Sequence, residues 1–153
     1  MSLLVPTDFS AASRQALALA VVIAERTGTK VDVLFVWEPS TVVPLETLLS
    51  EVGTGAPRTL GEIGRKEALR QMTEFVASVA RPSTVPVATR VEVGRPDELI
   101  VTLAEQGAYD MIVMGSHGRT GLRRVLMGSV AERVVRTAPC AVLSVKLPDG
   151  EAS

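Results

Sequence analysis

The sequence predicts a single α/β domain built on a doubly wound, five-stranded parallel sheet with helices on both faces. Short apolar runs alternate along the chain with segments whose apolar residues recur at helical spacing. Strands that alternate with helices pair in parallel, and right-handed crossovers place the helices on both faces of the sheet. At 153 residues the chain has the length of one domain, which we place at residues 1–147, before a polar tail at residues 148–153.

The first three predicted elements are a strand, a helix and a strand. Residues 3–5 form a short apolar strand that Pro6 closes. Ser10 can cap a helix that Gly28 ends, because glycine adopts the left-handed conformation without strain. Residues 31–37 are almost entirely apolar and form the second strand.

The pattern is least regular in the segment that follows. Residues 39–58 contain three prolines, and they predict a mobile flap with a short helical turn around residues 45–51. The next helix begins at Thr59 and ends where proline follows arginine, at Pro82.

The second half of the chain begins with a third strand. Apolar residues alternate over residues 85–93, which is the period of a strand, and Pro86 favours an edge position. A helix with proline in its first turn begins at Pro96 and ends at Gly107. A buried strand follows at residues 111–114.

The last helix begins at Ser129, where Glu132 completes a capping-box pattern, and Pro139 ends it. Residues 141–145 form the fifth strand. This strand has no interior proline and no charged residue, so it lacks the usual protection of an edge strand.

Composition excludes several classes of protein. Apolar residues make up 46% of the chain and charged residues 22%, which is typical of a globular protein. The net charge of −1 offers no broad basic surface to nucleic acid or anionic lipid. The apolar run at residues 16–24 is too short to span a bilayer, and a single cysteine, Cys140, forms no intrachain disulfide. We expect a cytoplasmic protein with neither a nucleic-acid nor a membrane partner, and Cys140 as a buried structural thiol.

A glycine-rich turn at residues 115–129 is the strongest candidate for a ligand site. It joins a buried strand to a helix, and the dipole and unpaired N–H groups of a helix start attract anions. Glycines let the backbone approach phosphate oxygens closely, and Ser129 can cap the helix and contact a phosphate at once. The turn also carries three basic side chains, Arg119, Arg123 and Arg124. Because loop arginines are usually solvated, we expect at most one of them to contact a phosphate.

The glycine spacing and two further runs of sequence resemble a known family. The turn reads Gly115-x2-Gly118-x9-Gly128-Ser129, whereas the P-loop and the dinucleotide fingerprint are absent. The runs Val5-Pro-Thr-Asp-Phe-Ser10 and Asp110-Met-Ile-Val-Met-Gly-Ser-His-Gly-Arg-Thr-Gly121 resemble the opening and the signature of the universal stress protein family, in its ATP-binding subgroup. The resemblance extends over about residues 3–146.

The resemblance implies a strand order, a ligand and a set of binding residues. The order would be 3-2-1-4-5, which places Asp8 opposite the Gly115 loop. ATP would be the ligand, with magnesium or manganese held mainly by its phosphates, because no carboxylate cluster flanks the loop. Asp8 would accept from ribose hydroxyls or from the adenine amino group, and Val36 would meet adenine through its backbone. The implied binding residues are Pro6, Thr7, Asp8, Val36, Met114, Gly115, His117, Gly118, Arg119, Gly128, Ser129 and Val130.

His117 is the only histidine and admits two interpretations. It is either a phosphate-side residue of the loop or an exposed side chain without a ligand. A Ser-His hydrolase is not predicted, because no G-x-S-x-G elbow is present and adjacent residues such as Ser116 and His117 rarely present both side chains in nucleophile–base geometry. One histidine and one distant cysteine do not make a zinc site.

The resemblance implies a nucleotide-dependent sensor or regulatory module of the stress response. The alternative is a slow ATPase or adenylate-processing enzyme, although a Walker lysine and an obvious base to orient water are missing. A protein-interaction module without nucleotide is a third possibility. We also expect a homodimer that pairs antiparallel through residues 141–145, unless the polar tail covers that edge.

Overall fold

Strands and helices alternate along the chain, which in this computed structural model is described over residues 2–50, 55–79, 84–117 and 127–147. The strands are β1 (Ser2–Thr7), β2 (Lys30–Trp37), β3 (Leu48–Ser50), β4 (Pro57–Thr59), β5 (Val87–Val93), β6 (Met111–Gly115) and β7 (Ala141–Val145). The helices are α1 (Ala11–Thr27), α2 (Leu60–Val79), α3 (Pro96–Gln106) and α4 (Ser129–Thr137).

The central sheet has the order β5-β2-β1-β6-β7, and all of its neighbouring strands pair in parallel. Counted along this sheet alone, the order is 3-2-1-4-5, so the predicted fold class and strand order are confirmed. The order reverses between β1 and β6, and the carboxyl ends of these strands therefore border a common crevice. β5 and β7 are the two edges, as predicted.

Two apolar cores lie on opposite faces of the sheet, because side chains alternate along each strand. Leu3 and Val5 of β1 contribute to the core that packs against α1 and α2, whereas Leu4 contributes to the core that packs against α3 and α4. β1 is buried at every position, which is typical of the centre of a doubly wound sheet. Of the helices that the structure describes, none has the length and the apolar character that a membrane span requires.

Side chains cap the starts of α1 and α2. Ser10 is the N-cap of α1, as predicted, and its Oγ accepts from the Ser13 N–H at 3.2 Å. At the start of α2, Thr59 Oγ1 accepts from the Glu62 N–H at 3.1 Å, and Glu62 Oε2 accepts from the Thr59 N–H at 2.9 Å. This reciprocal pair is a capping box that the sequence analysis did not identify, although Thr59 and Glu62 have its spacing.

The helical turn predicted around residues 45–51 is wrong. Residues Leu48–Ser50 form β3, which pairs antiparallel with β4. A β-turn precedes this strand, and in it the Thr47 N–H donates to the Pro44 C=O at 3.1 Å. The carbonyls of Leu45 and Thr47 accept from the first N–H groups of α2, so they are not used for a helix of their own.

Cys140 lies between α4 and β7 and is half-buried. Burial, ahead of other causes, raises the pKa of its thiol. A raised pKa keeps the thiol protonated, and the thiolate is the reactive form. The local environment therefore favours the structural role over the reactive one.

Candidate functional site

A cavity of about 470 Å³ opens at the carboxyl ends of β1, β2 and β6, where the strand order reverses. This volume lies within the range of roughly 300–1,000 Å³ that small-molecule sites occupy. Predicted residues that line it are Pro6, Thr7, Asp8, Val36, Met114, Gly115, His117, Gly128, Ser129 and Val130. The predicted residues Gly118 and Arg119 lie outside the described part of the chain.

The turn from β1 to α1 holds Asp8 at the cavity through hydrogen bonds of its own side chains. Thr7 Oγ1 accepts from the Phe9 N–H at 2.9 Å and donates to Ser13 Oγ at 3.0 Å. Asp8 Oδ1 accepts from the Ser10 N–H at 3.0 Å. These bonds fix the direction in which the chain leaves the sheet, so the carboxylate of Asp8 is positioned by the turn itself.

Phe9 occupies the left-handed region, with φ of 64°. This conformation is rare for a bulky side chain and requires support from the surrounding structure. The ring of Phe9 lies 4.6 Å from that of Phe35 and 5.5 Å from that of Phe75, measured between centroids. The aromatic cluster stabilises the strained turn and thereby the position of Asp8 beside it.

Gly115 is required by helix packing. A Cβ at this position would lie 2.9 Å from Ala12 Cβ and 3.1 Å from the Ser13 nitrogen, in the first turn of α1. The glycines of this turn were predicted to allow a close approach of the backbone to phosphate. At Gly115 that assignment is incomplete, because the close approach that excludes a side chain is made by α1.

The two ends of the loop from β6 to α4 are joined by a backbone hydrogen bond. The Gly128 N–H donates to the Ser116 C=O at 2.8 Å, and the Ser116 N–H donates to the Val145 C=O at 2.8 Å. The loop therefore leaves and returns at one point, which lies next to the end of β7. This closure places the start of α4 directly at the cavity.

Ser116 and His117 are hydrogen-bonded, with Ser116 Oγ 2.8 Å from His117 Nδ1. The sequence did not predict this contact, because adjacent residues rarely bring a hydroxyl and a base within hydrogen-bonding distance. Ser116 is only 1% exposed, however, so its hydroxyl is not placed as an accessible nucleophile. The bond orients the imidazole, which lines the cavity.

The capping box predicted at Ser129 is also wrong. Gly128 is the N-cap of α4, and no side chain caps this helix. The carboxylate of Glu132 pairs with Arg136 at 2.6 Å instead of reaching back to the helix start. The first intrahelical bond runs from the Glu132 N–H to the Gly128 C=O, so helix geometry leaves the N–H groups of Ser129, Val130 and Ala131 without intrahelical partners.

The cavity has an acidic side and an apolar wall in addition to the helix start. Asp8 and Glu38 line it near the ends of β1 and β2, and the buried side chains of Leu34 and Ile100 contribute its apolar part. Glu38 was not predicted as a site residue, although a carboxylate directly after a predicted strand could have indicated one. The other lining residues that were not predicted are Ser13, Leu34, Phe35, Pro96, Ile100 and Ala131.

The backbone of Val36 faces the β1 side of β2. Alternate residues of a strand direct their N–H and C=O groups to opposite neighbours, and the Trp37 C=O accepts from the Gly94 N–H beside β5. Val36 therefore directs its groups the other way, toward β1, whose last paired residue is Thr7, opposite Phe35. Val36 thus presents backbone groups where β1 ends and the cavity begins.

Among the described residues, no group of three or more His, Cys, Asp or Glu side chains is placed to hold a metal ion. The cavity is lined instead by the start of α4, which follows β6 and has no side-chain cap, and by the carboxylate residues Asp8 and Glu38, which follow β1 and β2. This set suits an elongated ligand with an anionic end and a hydroxyl- or amine-bearing end.

Comparisons with known proteins agree with this architecture. Residues 1–146 match the model of the universal stress protein family. Universal stress protein MJ0531 of Methanocaldococcus jannaschii is 36% identical over 149 residues, which cover 97% of this chain and 84% of the relative. Hypothetical protein MJ0577, from the same organism, has a solved structure with a TM-score of 0.78 and 30% identity, and 97% of each chain is covered.

A further solved structure is that of a universal stress protein in complex with cAMP, with a TM-score of 0.63 and 25% identity. The match covers 95% of this chain and 96% of that protein. The family model, the relatives and the fold thus agree, and this chain belongs to the universal stress protein family.

Proposed function

We propose that this protein binds one ATP per chain in the cavity at the sheet reversal and acts as a nucleotide-dependent sensor or regulatory module. The observation that carries the proposal is that the start of α4, which has no side-chain cap, lines the same cavity as Asp8 and Glu38. One end of the cavity thus attracts phosphates, and the other accepts hydrogen bonds from a nucleoside.

The chemistry of the cavity suggests how the nucleotide would lie. Its phosphates would accept from the N–H groups of Ser129, Val130 and Ala131, and Gly118 and Arg119 would complete this end. The base would pack against Leu34 and Ile100 and meet the backbone of Val36. Asp8 and Glu38 would accept from ribose hydroxyls, or Asp8 from the adenine amino group.

Two further facts support the proposal. A family member with 25% identity was solved with cAMP, which is an adenine nucleotide. The glycine spacing that this sequence shares with the ATP-binding subgroup favours a triphosphate over a cyclic monophosphate. Magnesium or manganese would be held mainly by the phosphates, because the described residues offer no carboxylate cluster for it.

Calorimetric titration tests the proposal directly. We expect saturable binding of ATP at one site per chain, stronger with magnesium than with EDTA, and weaker binding of adenosine. Thermal unfolding measured in parallel should shift upward with ATP, because a ligand that binds only the folded state stabilises it. The absence of both heat and thermal shift at millimolar ATP would refute the proposal.

Slow ATP hydrolysis is the alternative function. The described cavity lining contains no lysine, and the hydroxyl that bonds to His117, that of Ser116, is buried. We therefore expect turnover well below one per minute, whereas typical enzymes reach roughly 1–1,000 per second. A single-turnover assay with labelled ATP separates the two functions, since a binding protein releases ATP unchanged.

We further propose a homodimer in which two copies of β7 pair antiparallel. β7 is an edge, and the large apolar side chain of Val135 on the neighbouring α4 is 46% exposed. The Val145 C=O accepts from Ser116 on the inner side, so Val142 and Ser144 direct their backbone groups outward.

The alternation of β7 identifies a clean test of the dimer. Val142→Pro removes an outward N–H and should yield folded monomers by light scattering, because no bond to β6 is lost. Leu143→Pro removes an inward N–H and should destabilise the sheet itself. A Val142→Pro variant that stays folded and dimeric would place the interface elsewhere.

A further inference from the structure

Three atoms of Ser116 form hydrogen bonds. Its N–H donates to the Val145 C=O and its C=O accepts from the Gly128 N–H, both at 2.8 Å. Its Oγ lies 2.8 Å from Nδ1 of His117, and its side chain is 1% exposed. Because the end of β7 and the start of α4 both hold the backbone of Ser116, its hydroxyl is presented to the imidazole from a fixed position.

We propose that Ser116 is a positioning residue that holds His117 in the tautomer whose Nε2–H donates to a phosphate oxygen of the bound nucleotide. The inference rests on the proposed function and names a further determinant of the same site. In this tautomer the Ser116 hydroxyl donates to Nδ1 and the ring proton resides on Nε2. His117 lines the cavity together with Gly128 and Ser129, which are at the proposed phosphate end.

The opposite tautomer would work against an anion. If Nδ1 carried the proton and donated to Ser116, Nε2 would present a lone pair to the phosphate. A lone pair facing a phosphate oxygen is repulsive, whereas an N–H facing the same oxygen is a hydrogen bond that complements the N–H groups of α4. A Ser116 hydroxyl that donates to Nδ1 therefore sets His117 to attract the ligand, whereas one that accepts from Nδ1 would set it to repel the ligand.

The single histidine of the chain makes the tautomer directly measurable. In a long-range proton–nitrogen NMR spectrum of labelled protein, only one imidazole contributes signals. At mildly alkaline pH, where a histidine is ordinarily neutral, we expect the Nε2–H form to predominate in the parent. A parent spectrum dominated by the Nδ1–H form would overturn the proposal without any variant.

Substitution of Ser116 tests the effect on binding. Ser116→Ala should shift the tautomer equilibrium and weaken ATP binding about tenfold, while adenosine, which has no phosphate, should bind as before. Ser144→Ala is the matched control, because Ser144 also has a buried Oγ on a neighbouring strand, without a hydrogen-bond partner in the described chain. The control should change neither the tautomer nor the ATP affinity.

A double-mutant cycle separates positioning from a general structural role. His117→Gln retains an amide N–H near the position of Nε2 but has no counterpart of Nδ1. In this background Ser116→Ala should cause little further loss of ATP affinity. Equal losses for ATP and adenosine, or an undiminished loss in the His117→Gln background, would show a merely structural serine.

Failure of this inference can be told from failure of the proposed function. If the parent does not bind ATP at all, the proposed function is wrong. If the parent binds ATP and Ser116→Ala binds it equally well, the function stands and Ser116 does not position His117.

Discussion

The two turns that face the cavity from the adjacent strands β1 and β6 begin their helices in different ways. In the turn from β1 to α1, side chains accept hydrogen bonds from the first backbone N–H groups. Ser10 Oγ accepts from the Ser13 N–H, and Asp8 Oδ1 accepts from the Ser10 N–H. In the turn from β6 to α4, Gly128 is the N-cap and provides no side chain. Side chains of the protein therefore bind N–H groups at the start of α1, whereas the first N–H groups of α4 remain able to bind an anion.

The third helix whose start borders the cavity supports the same distinction. α3 begins after Arg95 without a side-chain cap, but Asp97 and Glu98 in its first turn already place negative charge at the positive end of its dipole. The first-turn carboxylates of both helices pair with arginines, Asp97 with Arg133 and Glu132 with Arg136, so charge alone does not distinguish the two starts. The first residue of α3 is a proline, however, and proline has no N–H to offer an anion. Helix dipoles alone do not mark a ligand site, and the way in which each start is satisfied decides which of them is available.

The largest expected effect concerns the loop that precedes α4. Gly118→Val should abolish measurable ATP binding, with a loss of at least ~100-fold, or about 2.7 kcal/mol, because a side chain would occupy the space of the phosphates. Thermal unfolding should be nearly unchanged, since the glycine is expected to be a loop residue outside the core. Calorimetry on the folded variant checks this, and parent-like ATP affinity would show that the loop is not the phosphate site.

A substitution at Gly115 should affect stability, because α1 occupies the space that a side chain there would need. Gly115→Ala should lower the free energy of unfolding by about 1–3 kcal/mol through overpacking against Ala12. Adding Ala12→Gly should recover part of the loss. Gly61→Ala is the matched control, since its new Cβ would meet neighbours only at 3.5 Å or more. Denaturant unfolding of the four proteins decides, and a neutral Gly115→Ala would contradict the packing argument.

The sequence identifies a glycine but not the atoms that require it. Gly115 was recognised from its place in a motif, yet Ala12, which excludes a side chain there, lies on a different element. The start of α4 shows the same limit, because the pattern at Ser129 and Glu132 fits a capping box and the competing pair of Glu132 with Arg136 is equally local. Patterns repeated along the chain were more reliable: the five strands of the central sheet and the helices between them were predicted, and the strand order followed from the family resemblance.

The short hairpin of β3 and β4 was missed for a related reason. The carbonyls of Leu45 and Thr47 accept hydrogen bonds from the start of α2. No periodicity in the segment that contains them predicts these bonds. For the cavity, the residues at the ends of β1 and β6 were predicted, whereas Phe35 and Glu38 at the end of β2 were not. Contributions from helix faces such as Ile100 were not, because only the folded sheet brings α3 to this edge.

Two serines at helix starts provide an intermediate test of the comparison. Ser10→Ala should cost about 1 kcal/mol of stability through the loss of an N-cap, and it should leave ATP affinity nearly unchanged. Ser129→Ala should show the reverse, with little change in stability, because Gly128 is the cap, and several-fold weaker ATP binding. Chemical denaturation and calorimetry on both variants check the pair. If Ser129→Ala lost as much stability as Ser10→Ala, Ser129 would be the N-cap of α4 after all.

The smallest expected effect concerns the ion pair that joins the starts of α3 and α4. Arg133 Nη1 lies 2.9 Å from Asp97 Oδ2, and Arg95 Nη2 lies 3.3 Å from the same oxygen, while the Asp97 side chain is only 13% exposed. Both helices contribute to the cavity wall, through Pro96 and Val130. Asp97→Asn keeps the shape of the side chain and removes the charge. It should lower stability by less than about 1 kcal/mol, with most of the difference lost at high salt, where such pairs are screened.

Binding supplies the second measurement for this pair. Because Arg133 lies one turn beyond Ser129 on α4, releasing it from α3 should loosen the wall and weaken ATP binding a few-fold. Arg136→Gln is the control, since its pair with Glu132 lies within α4 and leaves α3 untouched. A few-fold loss for Asp97→Asn with none for Arg136→Gln would show that the start of α4 depends on its neighbour for alignment. Equal behaviour of the two variants would instead mean that the closure between Gly128 and Ser116 is sufficient to hold it.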